Sequence, residues 1–182
     1  MKQQLLLLLA IIGMSITAKS QENEEKEFKG QTSFFAEVGG PGILFSANYD
    51  RRFHNHNLGA GIRIGLGFVT TYDDHYDSTR PYYYYGEQRS VVTVPFQLNY
   101  IFGKPNSPHT FEVGGGVTVL SKKVDVFNDY YNDEPTNLYA TFSFMYRRQP
   151  KNGGFSWRIG FTPLISKGYI QPSGAVSLGY NF

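Results

Sequence analysis

From Thr32 to the last residue, apolar side chains recur at every second position in eight separate runs. The first is Thr32–Gly39. In the second, Ile43–Phe53, the residues Ile43, Phe45, Ala47, Tyr49 and Phe53 share one face, and Ser46, Asn48, Asp50 and Arg52 the other. The third, Leu58–Thr70, alternates Leu58, Ala60, Ile62, Ile64, Leu66 and Phe68 with glycines and Arg63. The fourth sets Val92, Val94, Phe96, Leu98, Tyr100 and Phe102 against Thr93, Pro95, Gln97 and Asn99. The fifth sets Phe111, Val113, Val117 and Val119 against Thr110, Glu112, Gly114, Gly116 and Thr118. The sixth sets Leu138, Ala140, Phe142, Phe144 and Tyr146 against Tyr139, Thr141, Ser143 and Arg147. The seventh sets Phe155, Trp157, Ile159 and Phe161 against Ser156, Arg158, Gly160 and Thr162. The eighth sets Val176, Leu178, Tyr180 and Phe182 against Ala175, Ser177, Gly179 and Asn181. Period two is the signature of a strand whose faces meet different surroundings. Each run is close to the ~9–11 residues with which a tilted strand crosses a bilayer.

The direction of the faces decides the class. A water-soluble barrel packs its apolar face inside, and a membrane barrel turns it outward. Here one face consists of large apolar and aromatic residues, the other of Gly, Ser, Thr, Asn and a few charges. Eight strands enclose little room. Aromatics from every strand would overfill that space, whereas the small polar face fits it. The expectation is an all-β chain: an eight-stranded antiparallel up-and-down transmembrane β-barrel. Pro95 and Pro163 fall inside strand runs and lack the N–H a closed ladder needs, so each is read as a bulge or local break.

The first twenty residues have another origin. Lys2 precedes an apolar run, Leu5 to Met14, and Ala18-Lys19-Ser20 places small residues at a signal-peptidase site, so residues 1–20 read as a cleaved signal peptide. Residues 21–31 are charged and aperiodic and read as a flexible periplasmic leader, with the barrel over residues 32–182. Removing Lys2 and Lys19 from the 17 basic residues leaves 15 against 15 acidic ones, so no nucleic-acid partner is implied. With no cysteine, disulfides and thiol chemistry are excluded.

Counting from a periplasmic N-terminus, the turns His54–Asn57, Lys104–His109 and Pro150–Gly154 are short and periplasmic. The outer connections Tyr72–Arg89 and Lys122–Thr136 are long, Ser166–Ser173 is intermediate and Gly40–Gly42 is short. Short inside and long outside is the arrangement of outer-membrane barrels. The chain ends Gly179-Tyr180-Asn181-Phe182, with Val176, Leu178, Tyr180 and Phe182 alternating, and its first run leads into Glu37-Val38-Gly39-Gly40-Pro41-Gly42. In these features it resembles the small outer-membrane barrels of Gram-negative bacteria, of the eight-stranded OmpA/OmpX type. That resemblance implies outer-membrane lipid as surroundings and recognition of Tyr180 and Phe182 by the barrel-assembly machinery. A glycine often found five residues before the final aromatic is Ser177 here.

The inward face carries Glu37, Asp50, Arg52, Arg63, Glu112, Arg147 and Arg158. Charges in a narrow lumen must pair or keep water. They read as an ion-paired plug, with Glu112 meeting Arg147 or Arg158 and Asp50 meeting Arg63 or Arg52; a small gated pore is the competing reading. Arg51 and Arg148 have lipid-facing parity at strand ends, where long side chains snorkel to headgroups. The long connections offer Tyr72, Asp73, Asp74, Tyr82, Tyr83, Tyr84, Tyr85, Tyr130 and Tyr131 as a surface for an extracellular ligand or for adhesion, because Tyr gives large area at low entropic cost. No metal spacing, phosphate loop or Ser/His/acid arrangement stands out, so neither cofactor nor enzymatic activity is expected. The reading is a monomeric envelope protein with a general structural role.

Overall fold

The computed structural model describes residues 30–72, 88–105, 107–124, 136–150 and 152–182. The assignments of a signal peptide and most of the leader lie outside these residues, as does nearly all of the Tyr/Asp-rich surface. Of that surface, only the backbone of Tyr72 is described, at the end of a strand.

The elements in chain order are β1 (Thr32–Gly39), a single 3-10 turn (Gly40–Gly42), β2 (Phe45–Arg52), β3 (Gly59–Tyr72), β4 (Gln88–Gly103) and β5 (His109–Val124). There follow β6 (Thr136–Arg148), β7 (Gly154–Phe161), β8 (Leu164–Ser166), β9 (Tyr169–Gln171) and β10 (Gly174–Asn181). Eight of the strands form a closed antiparallel circuit, β1 to β7 in order and then β10, which pairs with both β7 and β1. The chain is therefore an eight-stranded β-barrel.

The stagger of the circuit follows from its register. Thr110 on β5 pairs with Arg147, and that row continues through Arg158, Ser177, Glu37, Ser46, Gly67 and Thr93. It returns to β5 at Leu120, ten residues beyond its start. Ten residues at about 3.3 Å each, over eight strand spacings of about 4.8 Å, give a tilt of roughly 40° and a backbone radius of roughly 8 Å. Such a bore admits small and mid-sized side chains from every strand but not a second layer of aromatics.

The faces divide accordingly. Along β4 the positions Val91, Thr93, Pro95, Gln97, Asn99 and Ile101 are buried, and Val92, Val94, Phe96, Leu98, Tyr100 and Phe102 are exposed. The same split runs round the barrel, so residues as large as Leu66 (61% exposed) and Leu98 (56%) look outward while Arg63 and Glu112 are fully buried.

Both prolines interrupt the ladder without shifting it. At Pro95 the β3–β4 pairing lapses between Ile64↔Phe96 and Gly67↔Thr93 and resumes in the same register. The facing residue is Gly65, where a Cβ would approach Pro95 Cγ to 2.9 Å, so the absence of a side chain makes room for the ring. Pro163 separates β7 from β8, yet β6 pairs with both in one register. The bulge lies elsewhere, between Val119 and Val124 on β5.

Three sequence expectations are corrected. The Ser166–Ser173 connection is a hairpin: β8 and β9 pair across Lys167-Gly168, both at positive φ, as the twist of a two-residue turn requires. The connection Gly40–Gly42 does not project from the barrel rim. It folds into the lumen, where all three of its residues are buried. Ile43, assigned to the outer face, is turned inward by its φ of 75° and packs against Val91, Leu120, Val124, Tyr139 and Leu164. A minor difference concerns the leader, whose last residue is already tied down: Gln31 accepts a bond from the Arg52 amide at 3.0 Å.

Candidate functional site: the lumen

β4 serves as a ruler along the bore, from the short connections to the long ones. At the level of Asn99 lies an alternating chain of charges. Arg52 is ion-paired with Asp50; Asp50 meets Arg147 at 2.8 Å; Arg147 meets Glu112 at 3.1 Å; Glu112 meets Arg158 at 3.3 Å. These residues come from β2, β6, β5 and β7. β2 and β6 are separated by three strands in either direction round the circuit, so the Asp50–Arg147 pair crosses the lumen. Asn99 donates from Nδ2 to Asp50 at 3.2 Å and to Glu112 at 3.4 Å, filling the remaining carboxylate valence. Arg52 also donates to the Gly59 carbonyl at 3.0 Å, and its guanidinium lies against Gly61, where any side chain would collide with it.

At the level of Gln97 a separate ion pair forms, Arg63 with Glu37. Arg63 also donates to Asn48 at 3.3 Å and Gln97 at 3.2 Å, and Gln97 donates onward to Thr141 at 2.9 Å. Phe35 lies between the levels, with the Arg158 guanidinium carbon 3.2 Å and that of Arg63 4.7 Å from its ring centroid. Four arginines thus face three carboxylates in this bore, and the ring face of Phe35 offsets part of the excess cation.

At the level of Thr93 the bore is filled by backbone. Thr93 donates to the Gly42 carbonyl at 3.0 Å and Thr118 to the Pro41 carbonyl at 2.7 Å. Beyond it, at the level of Val91, come Leu120, Val124, Tyr139 and Leu164, with Tyr139 donating to the Val124 carbonyl at 2.7 Å. The other end is closed by Gln149, which donates to the Asn57 carbonyl at 2.8 Å, and by Asn181, which donates to Gln149 at 3.4 Å.

The structure brings all seven charged residues singled out in the sequence into the lumen, none of them more than a few per cent exposed. Glu112 pairs with both arginines named for it. Asp50 pairs with Arg52 but not with Arg63, although Arg63 is its cross-strand neighbour. The longer reach of Arg63 takes it to Glu37, and Arg147 takes its place at Asp50. Phe35, Asn48, Gln97, Asn99 and the Gly40–Gly42 turn complete the network. Asn48, Gln97 and Asn99 carried a signal, since they share the inward parity of the charges. Tyr180 and Phe182 face outward at the end of the short connections. No group of metal-binding side chains occurs among the described residues.

No family model matches the chain. No curated protein matches it either. Among solved structures, it is similar to the N-terminal β-barrel domain of Pseudomonas aeruginosa OprF, at a TM-score of 0.51 and 10% identity. The likeness covers 85% of this chain and 99% of that one. At such low identity it is a likeness of fold, and the fold it shares is the closed eight-stranded barrel.

Proposed function

We propose that the chain is an integral outer-membrane barrel of a Gram-negative envelope, with a sealed lumen and a structural role in that envelope. The observation that carries the reading is the outward belt. From Val92 to Phe102 on β4 every outward residue is apolar or aromatic, and ten residues at ~3.3 Å, tilted by roughly 40°, span about 25 Å of height, the apolar thickness of an outer-membrane barrel. Burying this belt in water-soluble form would need a partner around the whole circumference; a bilayer supplies one. Every side-chain carboxylate among the described residues is in the lumen, so the belt is also free of acidic side chains. In this reading the short turns face the periplasm and the connections 72–89 and 122–136 face outward. Strand β10, with Tyr180 and Phe182, is the segment offered to the barrel-assembly machinery.

Sealing follows from the four levels of filling. An ion needs a continuous wet path, and here it meets ion pairs, then a backbone turn, then an apolar cluster. The test is planar-bilayer recording of the refolded mature chain, with detergent sensitivity of cells lacking it. Rare, small openings and a sensitised envelope are expected. A steady channel of porin size would move the protein to the pore class, and ligand capture dependent on the two long connections would move it to the binding class.

A further inference from the structure

The end of the barrel bearing the short connections carries an arrangement that neither the lumen nor the apolar belt requires. We infer that Lys104, His109, Arg148 and Trp157 form a binding row for the headgroup of an anionic glycerophospholipid. This rests on the membrane reading above and adds a lipid preference to it. The register places the four side by side. Gly103 pairs with Thr110, so Lys104, the next residue, lies beside His109; His109 pairs with Arg148, and Arg148 with Trp157. All four have the outward parity of their strands, and Lys104, His109 and Arg148 are exposed. Neighbouring strands are about 4.8 Å apart, so the Lys and Arg backbones lie roughly 10 Å from each other, within reach of one phosphate for two long side chains.

The next outward row toward the belt is Phe102, Phe111, Tyr146 and Ile159. On β4 the row begins at Lys104, one step past Phe102 and about 5 Å beyond it in depth at this tilt. It climbs by roughly 3 Å per strand, so Lys104 lies among the headgroup phosphates and Arg148 lies near the depth of Phe102, from which its long side chain snorkels to the same phosphate. The boundary is itself built: the Tyr146 hydroxyl is hydrogen-bonded to His109, and the Tyr146 and Trp157 rings are 5.3 Å apart. This holds the imidazole and indole at the interface depth that amphipathic rings favour. Charge selects the occupant. Neither Lys104 nor Arg148 is ion-paired within the described protein, whose salt bridges all lie in the lumen. No outward side chain among the described residues is acidic. A phosphate diester with a net negative headgroup supplies the missing charge, and its acyl chains continue onto Phe102 and Phe111. A zwitterionic headgroup presents its own cation to the same row and gains less.

The chain contains one tryptophan, Trp157, so the row has its own reporter. The refolded mature chain is placed in phosphatidylcholine vesicles containing a minor fraction of lipid brominated near the headgroup end of its acyl chains. That lipid is phosphatidylglycerol in one series and phosphatidylcholine in the other. Trp157 quenching should give a relative association constant favouring phosphatidylglycerol roughly fivefold or more, the contribution of one cation near an anionic headgroup. The preference should fall to about unity in K104Q/R148Q and persist in K122Q/K123Q, whose positions lie at the far end of β5. Heat-modifiable migration establishes that each variant has folded. Equal quenching by the two lipids in the wild type, or a preference that survives K104Q/R148Q, would overturn the inference while leaving the membrane reading intact. Absence of quenching by either lipid would overturn the membrane reading and this one with it.

Discussion

Glu112 is the residue on which two buried cations depend. Arg147 and Arg158 are cross-strand neighbours on the same inward face, and Glu112 lies within ion-pair distance of both. Replacing it with Ala leaves Arg158 facing Arg147 with no anion between them. The expected loss is about 3–5 kcal/mol if the site stays dry and less if water enters. A urea titration in phospholipid vesicles, followed by Trp157 fluorescence, measures it; an unchanged midpoint would contradict the pairing. Removing charge and partner together, in E112L/R158M, should cost less than E112A alone, because no buried charge is then stranded on that side. Phe35→Ala should also be costly, at about 3–5 kcal/mol for the buried ring, and the same titration reads it. At this scale the inward charges were legible from parity alone. Their partners were legible in part: Glu112 with Arg147 or Arg158 and Asp50 with Arg52 were among the pairs expected. Arg63 with Glu37 and Asp50 with Arg147 were not, because a stagger of ten residues moves each strand relative to the next and nothing in a single strand records it. Arg63 and Asp50 show this: adjacent across β2 and β3, they nonetheless choose other partners.

Among the elements, the turn after β1 has the strongest consequences. Gly39 and Gly40 adopt φ near 70°, and Ile43 follows at 75°, a conformation costly for a β-branched residue. The surrounding bore holds it there, through the threonine bonds to the Gly42 and Pro41 carbonyls and the packing of Ile43. A Cβ on Gly40 would lie 2.7 Å from Glu37 Oε1, so Gly40→Val must either displace the turn or disturb the Glu37–Arg63 pair. A destabilisation of about 1–3 kcal/mol is expected, read by the urea midpoint, and bilayer recordings should show more frequent openings if the turn leaves the bore. The sequence does not distinguish this turn from an outward one, since Gly and Pro serve any tight reversal. The β8–β9 hairpin was hidden for another reason: each arm is three residues long, too short for alternation to register. The eight long runs were legible because each borders two contrasting surroundings along most of its length. Gly65→Ala should destabilise by about 1–3 kcal/mol, since the added methyl meets the Pro95 ring and Asn48 across the strand gap. A wild-type urea midpoint in that variant would mean that the ring has room elsewhere.

For the whole molecule, the central claim is an inversion: lipid outside, charges inside. Because the chain lacks cysteine, single Cys substitutions can be introduced one at a time along β4, from Val92 to Phe102, without a background. Each is labelled with a nitroxide in reconstituted vesicles, and its collision rate is measured with oxygen, which partitions into the bilayer, and with a water-soluble nickel chelate. This inversion predicts alternation with period two. Oxygen accessibility should be high at Val92, Val94, Phe96, Leu98, Tyr100 and Phe102, greatest relative to the chelate near Phe96, and low to both reagents at Thr93, Gln97, Asn99 and Ile101. Chelate accessibility at the even-numbered positions, or no alternation at all, would contradict it.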